Sequence, residues 1–179
     1  MKNIIVISGH PDIANSTANK TIVDVLEKEN NIKISKLMST YSDYRIDANK
    51  EINNLLDADV IVLQFPFHWY GVPAILKMWI DSITTPLVYG PNKGGLKEKT
   101  FLLSTTTGGP SDSYQSNGYN KFTMEELLLP LLKLGDSLEM DVLKPLVLHS
   151  AMFQDDEGEN VLKRNAKHQA LKLIELVNK

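Results

Sequence analysis

The alternation of short apolar runs with amphipathic segments most constrains how this chain can fold. The runs at 4–7 and 60–65 are continuously apolar, which is typical of strands buried on both faces of a parallel sheet. The segments 32–37 and 100–105 also have strand character. A last strand is predicted at 142–148, where Pro145 favours an edge position because proline cannot donate to a ladder.

Helices are predicted between these strands. The clearest is 72–83, whose apolar residues recur at the three- and four-residue spacing of one helix face. Thr123 and Glu126 form a candidate capping box for a helix that Pro130 should kink and that Gly135 should end. The other predicted helices span 16–29, about 49–56 and 159–178.

Strands that alternate with helices indicate βαβ units and a parallel sheet covered on both faces. Five strands and five helices predict a flavodoxin-like three-layer α/β sandwich with strand order 2-1-3-4-5. At 179 residues the chain is expected to form a single domain, 1–179.

Composition excludes several classes of function. The chain has no cysteine, which removes disulfides and thiolate chemistry, and its four scattered histidines have no metal-ligand spacing. The net charge of −3 without a basic stripe argues against nucleic-acid binding. The N-terminal apolar run is too short for a signal peptide, and no stretch approaches the roughly 18 apolar residues of a membrane span. A cytoplasmic location is therefore expected.

Three unusual loops follow strands 1, 3 and 4 of the predicted sheet. They are GHPDIANSTAN (9–19), PFHWYG (66–71) and TTTGGPSDSY (105–114). In the order 2-1-3-4-5 these strands are adjacent at the centre, and ligands of such sheets lie beyond the carboxyl ends of the strands. We therefore expect the three loops to meet in one crevice.

The first loop has the character of an anion site. Ser16, Thr17, Ala18 and Asn19 would present backbone N–H groups and side-chain donors at the positive end of a helix, which suits a phosphate. The loop contains neither a dinucleotide fingerprint nor a P-loop motif. The alternative is an ordinary helix cap made by Asn15 or Ser16.

The second loop places four ring side chains at the end of a strand: Phe67, His68, Trp69 and Tyr70. Flat rings can stack on or flank a planar heterocycle. The alternative is that Trp69 and Tyr70 fill the core or a subunit contact. Trp79 lies in the apolar stripe of the next helix and is assigned to the core.

The third loop has small residues whose amides can approach a ligand closely. These are Thr106, Thr107, Gly108 and Gly109, and Tyr114 follows. Taken alone, the loop is also explained by a flexible turn. A planar-ring site beside a phosphate site at this point of the fold indicates a flavin nucleotide.

The chain resembles the NAD(P)H quinone reductase family of flavodoxin-like oxidoreductases. The matching segments are the loop 9–19, Y-x-x-Y-R-I-D at 41–47, ADVIVLQFPFHWYGVPAILKMWID at 58–81 and TTGG at 106–109. The family includes mammalian quinone reductases, general stress quinone reductases and the bacterial ancillary proteins of glutathione-gated potassium efflux.

The resemblance implies a homodimer that binds flavin through His10 and the three loops. NAD(P)H would pass a hydride to flavin N5, and a quinone would then take its place in a ping-pong cycle. The amides of Gly108 and Gly109, helped by Tyr114, are the candidates for stabilising charge near flavin N1. Tyr114 matches the tyrosine that assists the mammalian reaction, whereas the accompanying histidine is not matched, because Asn120 falls near its position.

The expected cofactor is FMN, with FAD as the alternative. The segment before the third strand is short, the chain ends at its last helix, and the three loops carry no lysine or arginine for a second phosphate. Two other functions stay open: a flavodoxin-type electron carrier, and a flavin-binding regulatory subunit of a membrane antiporter, which would lie at the inner face of the cell membrane.

Overall fold

Buried apolar strands form the centre of the fold in the computed structural model, which describes residues 1–179. Every residue of β1 and β3 is buried, as their continuous apolar runs predict. The strands are β1 (Ile4–Ser8), β2 (Ile32–Lys36), β3 (Val60–Pro66), β4 (Thr100–Thr106), β5 (Asp141–Val142) and β6 (Leu146–Leu148). The helices are α1 (Thr17–Leu26), α2 (Leu37–Thr40), α3 (Ala48–Leu56), α4 (Ala74–Tyr89), α5 (Met124–Ser137) and α6 (Asp156–Val177).

The sheet is parallel throughout and has the order β2-β1-β3-β4-β5, with β6 also paired to β4. The predicted fold and strand order are thus confirmed. The predicted strand 142–148 is divided into β5 and β6 around Lys144–Pro145, where proline has no N–H to donate. Both pieces lie at the edge of the sheet, as Pro145 predicted.

Helices cover both faces of the sheet and enclose two apolar clusters. One cluster lies on the side of α3, α4 and α5, and it contains Trp79, which is 1% exposed. The other lies on the side of α1 and α6. The assignment of Trp79 to the core is therefore correct. None of the helices combines the length and apolar character needed to cross a membrane.

Helix α5 differs from its prediction at the carboxyl end. The capping box is present: Glu126 N–H donates to Thr123 Oγ1 at 3.2 Å, and Glu126 Oε2 accepts from Thr123 N–H at 2.7 Å. Gly135 does not end the helix, which continues to Ser137. A Cβ on Gly135 would lie 2.7 Å from both Phe101 and Val142, so this glycine lets the helix approach the sheet closely.

Candidate functional site

A cleft of about 390 Å³ lies at the carboxyl ends of β1, β3 and β4. All three predicted loops contribute to its wall, which contains His10, Ser16, Thr17, Ala18, Asn19, Phe67, His68, Thr106 and Gly108. The expected meeting of three distant segments is therefore present in the fold. Trp69, Tyr70, Thr107, Gly109 and Tyr114 do not line this cleft.

A buried polar network beneath the cleft joins the three segments. Asn19 Nδ2 donates to Thr106 Oγ1 at 3.0 Å, and Gln64 Nε2 donates to Asn19 Oδ1 at 2.9 Å. All three side chains are buried. Because buried polar groups are costly when unpaired, this network fixes the start of α1 relative to β3 and β4.

The start of α1 keeps free backbone donors. Ser16 is the N-cap, and its Oγ accepts from Asn19 N–H at 3.2 Å. Asn15 does not cap the helix and instead donates to Asp12 at 2.8 Å. The backbone N–H groups of Thr17 and Ala18 have no acceptor within the helix, because they lie in its first turn. This turn also carries no acidic residue. Ser16 accepts from only one of the backbone N–H groups at this end of the helix, that of Asn19. Helix capping and anion binding are therefore compatible here.

His10 lies on the opposite side of the same loop with a defined ring orientation. Its Nδ1 accepts from Asp12 N–H at 3.0 Å, so the neutral ring carries its proton on Nε2. Burial lowers the pKa of His10, and the neighbouring His68, whose ring centroid is 6.4 Å away, lowers it further. A neutral His10 can donate one hydrogen bond from Nε2 to a ligand.

The second loop, 66–71, is called the aromatic loop. Its residues Phe67 and His68 line the cleft, whereas Trp69 and Tyr70 are exposed to solvent. Phe67 N–H donates to Thr106 O at 2.8 Å, and His68 pairs with Gly71 across the turn. Trp69 and Tyr70 both have positive φ, 45° and 65°, a conformation that costs a non-glycine residue about 1–3 kcal/mol. Trp69 is 94% exposed, so the alternative that it fills the core is wrong.

Tyr70 is held beside the third loop. Its hydroxyl donates to Asn120 Oδ1 at 3.0 Å, and Asn120 in turn donates to Ser113 Oγ at 3.2 Å. Asn120, which falls near the sequence position of the unmatched family histidine, thus connects the two loops. The side chains of Trp69 and Tyr70 remain available to a ligand or a second subunit.

The glycine pair forms a thin ridge between Met152 and Tyr114. A Cβ on Gly108 would lie 2.8 Å from Met152 Sδ, and one on Gly109 would lie 3.1 Å from Tyr114 Cε2. The Tyr114 hydroxyl lies 2.5 Å from Thr107 Oγ1, which also accepts from Gly109 N–H at 3.2 Å. Tyr114 is therefore a buried support behind the ridge, 8% exposed, rather than a residue of the cleft surface.

Sequence reasoning did not identify one wall of the cleft, formed by Ala151, Met152 and Phe153 after β6 and by Leu162 of α6. Ala151 N–H donates to Thr107 O at 2.9 Å, which ties this wall to the third loop. A sequence signal was available, because the segment follows the last strand at the same edge of the sheet. Met152 and Phe153 are exposed apolar side chains.

Comparison with known proteins agrees with the fold. The family model described as flavodoxin-like fold matches residues 2–172. A glutathione-regulated potassium-efflux ancillary protein, KefF, from an Enterobacter species is 33% identical over 173 residues, covering 96% of each chain. General stress protein 14 from Treponema denticola, solved in complex with FMN, superposes with a TM-score of 0.88 at 25% identity over 98% of this chain and 99% of that one.

An NADPH-quinone reductase from P. pentosaceus superposes with a TM-score of 0.78 at 26% identity, covering 95% of this chain and 98% of that one. Together with the observed sheet, these matches define the class as flavodoxin-like α/β proteins. The chain belongs to the flavodoxin-like-fold family, in the branch of NAD(P)H quinone reductases. The resemblance inferred from the sequence is thus confirmed.

Proposed function

We propose that the protein is an FMN-dependent NAD(P)H:quinone oxidoreductase. The observation that carries the proposal is a single cleft in which free amides at the start of α1 face the same space as Phe67, His68 and Gly108. Such a cleft combines a phosphate site with aromatic and glycine residues that suit a planar ring. The FMN complex of the Treponema relative and the NADPH-quinone reductase of P. pentosaceus support this assignment.

The residues present suit FMN. The N–H groups of Thr17 and Ala18 and the Nε2–H of His10 would hold its phosphate with neutral donors and the helix dipole. No lysine or arginine lines the cleft, so a second phosphate would lack a cationic partner there. This composition favours FMN over FAD.

FMN, when bound, would accept a hydride at N5 from NAD(P)H and return two electrons to a quinone. The protein would orient both reactants and stabilise the negative charge that develops near flavin N1. Gly108 lines the cleft and its N–H has no partner in the structure, so it is the candidate donor for that charge. Gly109 N–H already donates to Thr107 Oγ1, so it would not bind the flavin itself. This bond would instead hold the Gly108–Gly109 backbone rigid.

One open face of the ring would serve NAD(P)H and quinone in turn, which predicts ping-pong kinetics. Parallel double-reciprocal plots are expected, and intersecting plots would argue against a shared site. The direct test of the cofactor is the absorption spectrum of the purified protein followed by mass analysis of the released chromophore. FMN supports the proposal, whereas FAD in stoichiometric amount would refute the choice of cofactor.

NADPH oxidation with a soluble quinone separates the enzyme from a flavodoxin-type carrier, which needs no nicotinamide site. A regulatory role is the second candidate, favoured by the similarity to KefF. Retention of the purified protein by a membrane antiporter, with its catalytic activity unchanged, would support that role in addition to catalysis.

A homodimer and a cytoplasmic location belong to the same proposal. The exposed apolar side chains Trp69, Met78 and Tyr89 lie on the aromatic loop and α4, which suits a subunit contact on this side. Light scattering at micromolar concentration should give twice the 20.1 kDa chain mass. A monomeric mass would refute the dimer without affecting the cofactor assignment.

A further inference from the structure

A second cleft, of about 550 Å³, opens at the edge of the sheet between α5, β6 and α6. It shares no lining residue with the flavin cleft, and the proposed reaction leaves it without a role. Its size falls in the range of small-molecule sites.

The second cleft carries positive charge, whereas the flavin cleft has no lysine or arginine. Lys144 and Lys172 supply this charge, and Glu125 is the only acidic residue of the lining. The Glu125 carboxylate is already engaged by Lys144 Nζ at 2.9 Å. Lys172 forms no salt bridge in the structure and is available to an anionic ligand.

Unpaired hydrogen-bonding groups also belong to residues that line this cleft. His149 Nδ1 is buried and has no partner. The carbonyl of Leu148 accepts from Thr107 N–H, so the backbone groups of Leu148 point toward β4. Because the backbone groups of successive strand residues point to opposite sides, those of Val147 point to the open edge of β6. A buried group without a partner is uncommon in folded proteins and calls for an explanation, which a bound ligand would supply.

The glycine ridge contacts residues of both clefts, Met152 of the flavin cleft and Tyr114 of the second cleft. Gly108 and Met152 belong to the flavin side, while Tyr114 and His149 line the second cleft. The Tyr114 and His149 rings pack together with centroids 5.5 Å apart, and Tyr114 supports Gly109 from behind. A ligand that extends over this ridge would reach both clefts.

We infer that the second cleft binds the adenosine-diphosphate half of NAD(P)H while the nicotinamide reaches over the Gly108–Gly109 ridge into the flavin cleft. The inference rests on the proposed function, which requires a dinucleotide donor. Its diphosphate needs a cationic partner that the flavin cleft lacks, and Lys172 provides one in the second cleft. The adenosine would lie against the apolar residues of β6.

The test is a Lys172→Glu variant with Lys167→Glu as its matched control. Both lysines are exposed on α6, but only Lys172 lines the cleft. In the FMN-loaded protein, Lys172→Glu should raise the KM for NADPH about tenfold, the equivalent of one lost charged contact. The turnover number, the KM for quinone and the affinity for FMN should not change. An equal effect of both variants, or of neither, would overturn the inference.

Calorimetric titration of the FMN-loaded protein with ADP and with 2′,5′-ADP provides a readout that does not depend on turnover. Binding that is lost in Lys172→Glu and kept in Lys167→Glu supports the site. If this binding occurs while the wild-type protein does not oxidise NADPH, the proposed reaction fails and the nucleotide site stands. If the wild-type protein oxidises NADPH but neither nucleotide binds, the site is refuted and the reaction stands.

Discussion

Glu51 Oε2 accepts a hydrogen bond of 2.8 Å from Trp79 Nε1 inside the apolar core. Tyr41 donates to the other carboxylate oxygen at 2.9 Å, so one buried acid joins the segment after β2, α3 and α4. Burial and the Glu51 carboxylate raise the pKa of Tyr41, which keeps its proton in the bond. Since α4 begins directly after the aromatic loop, this network fixes the helix that carries one side of the site.

Replacing Glu51 by glutamine should destabilise the fold. An amide offers one acceptor oxygen, so one of the two buried donors, Tyr41 or Trp79, would lose its partner at a cost of about 1–3 kcal/mol. Urea unfolding followed by Trp fluorescence measures the change. Glu175→Gln, on the exposed face of α6, is the control and should alter stability little. Equal stability of the two variants would show that Glu51 is dispensable.

Asn19→Ala should weaken both the fold and the binding of FMN. The substitution leaves Gln64 and Thr106 without their shared partner, at about 1–3 kcal/mol, and releases the start of α1. Thermal unfolding of the FMN-free protein and fluorescence titration with FMN give the two values. Asn49→Ala, at an exposed site of α3, serves as the control. Unchanged affinity for FMN would mean that the network supports the fold alone.

Tyr114→Phe should lower turnover modestly while the flavin stays bound. The lost hydroxyl removes the bond to Thr107, which accepts from Gly109 N–H, so the ridge loses part of its support. The effect on the barrier should not exceed about 1.5–3 kcal/mol. Tyr119→Phe, at a residue that is largely exposed, is the control for stopped-flow measurements of flavin reduction. Unchanged kinetics would remove Tyr114 from the reaction.

Gly135→Ala should destabilise the protein although alanine is the better helix former by about 1 kcal/mol. The new methyl group would lie 2.7 Å from Phe101 and Val142, and overpacking of a core typically costs about 1–3 kcal/mol. Ser137→Ala, at the exposed end of α5, is the matched control. A gain in the midpoint of urea unfolding for Gly135→Ala would show that helix and sheet can separate at little cost.

Stability of the FMN-free protein should fall as the pH drops below about 6.5, the ordinary pKa of histidine. Burial lowers the pKa of His149 and of His10 in the folded state, so the unfolded chain binds protons first on acidification. Stability is therefore complete above the unfolded pKa and is lost as the pH falls toward the folded values.

Thermal unfolding between pH 7.5 and 5.5 measures this dependence. His149→Gln should reduce the decline, whereas His168→Gln, at an exposed site of α6, should leave it as in the wild type. A decline of the same size in His149→Gln as in the wild type would exclude His149 as its source.

Local patterns in the sequence were sufficient for the first four strands, and with the flavodoxin-like strand order they predicted that three loops meet at one edge. Continuous apolar runs identify buried strands, and the order 2-1-3-4-5 brings the loops after strands 1, 3 and 4 together. The capping box of Thr123 and Glu126 was also predictable, because both partners lie within one turn.

Only the tertiary structure decided how Gly135, Trp69 and Tyr114 are used. From the sequence, Gly135 is expected to end a helix. In the structure Phe101 and Val142 lie so close to it that only a residue without a side chain fits. The positive φ of Trp69 turns its ring into solvent, and the fold places Tyr114 behind the ridge.

The Asn19–Gln64–Thr106 network and the second cleft likewise depend on side chains far apart in sequence. Their pairing is set by the packing of whole elements, which the local propensities of a chain do not encode. The sequence by itself therefore determined the fold and the edge of the sheet at which the candidate cleft lies. The tertiary structure determined which side chains line the cleft and which support it from behind.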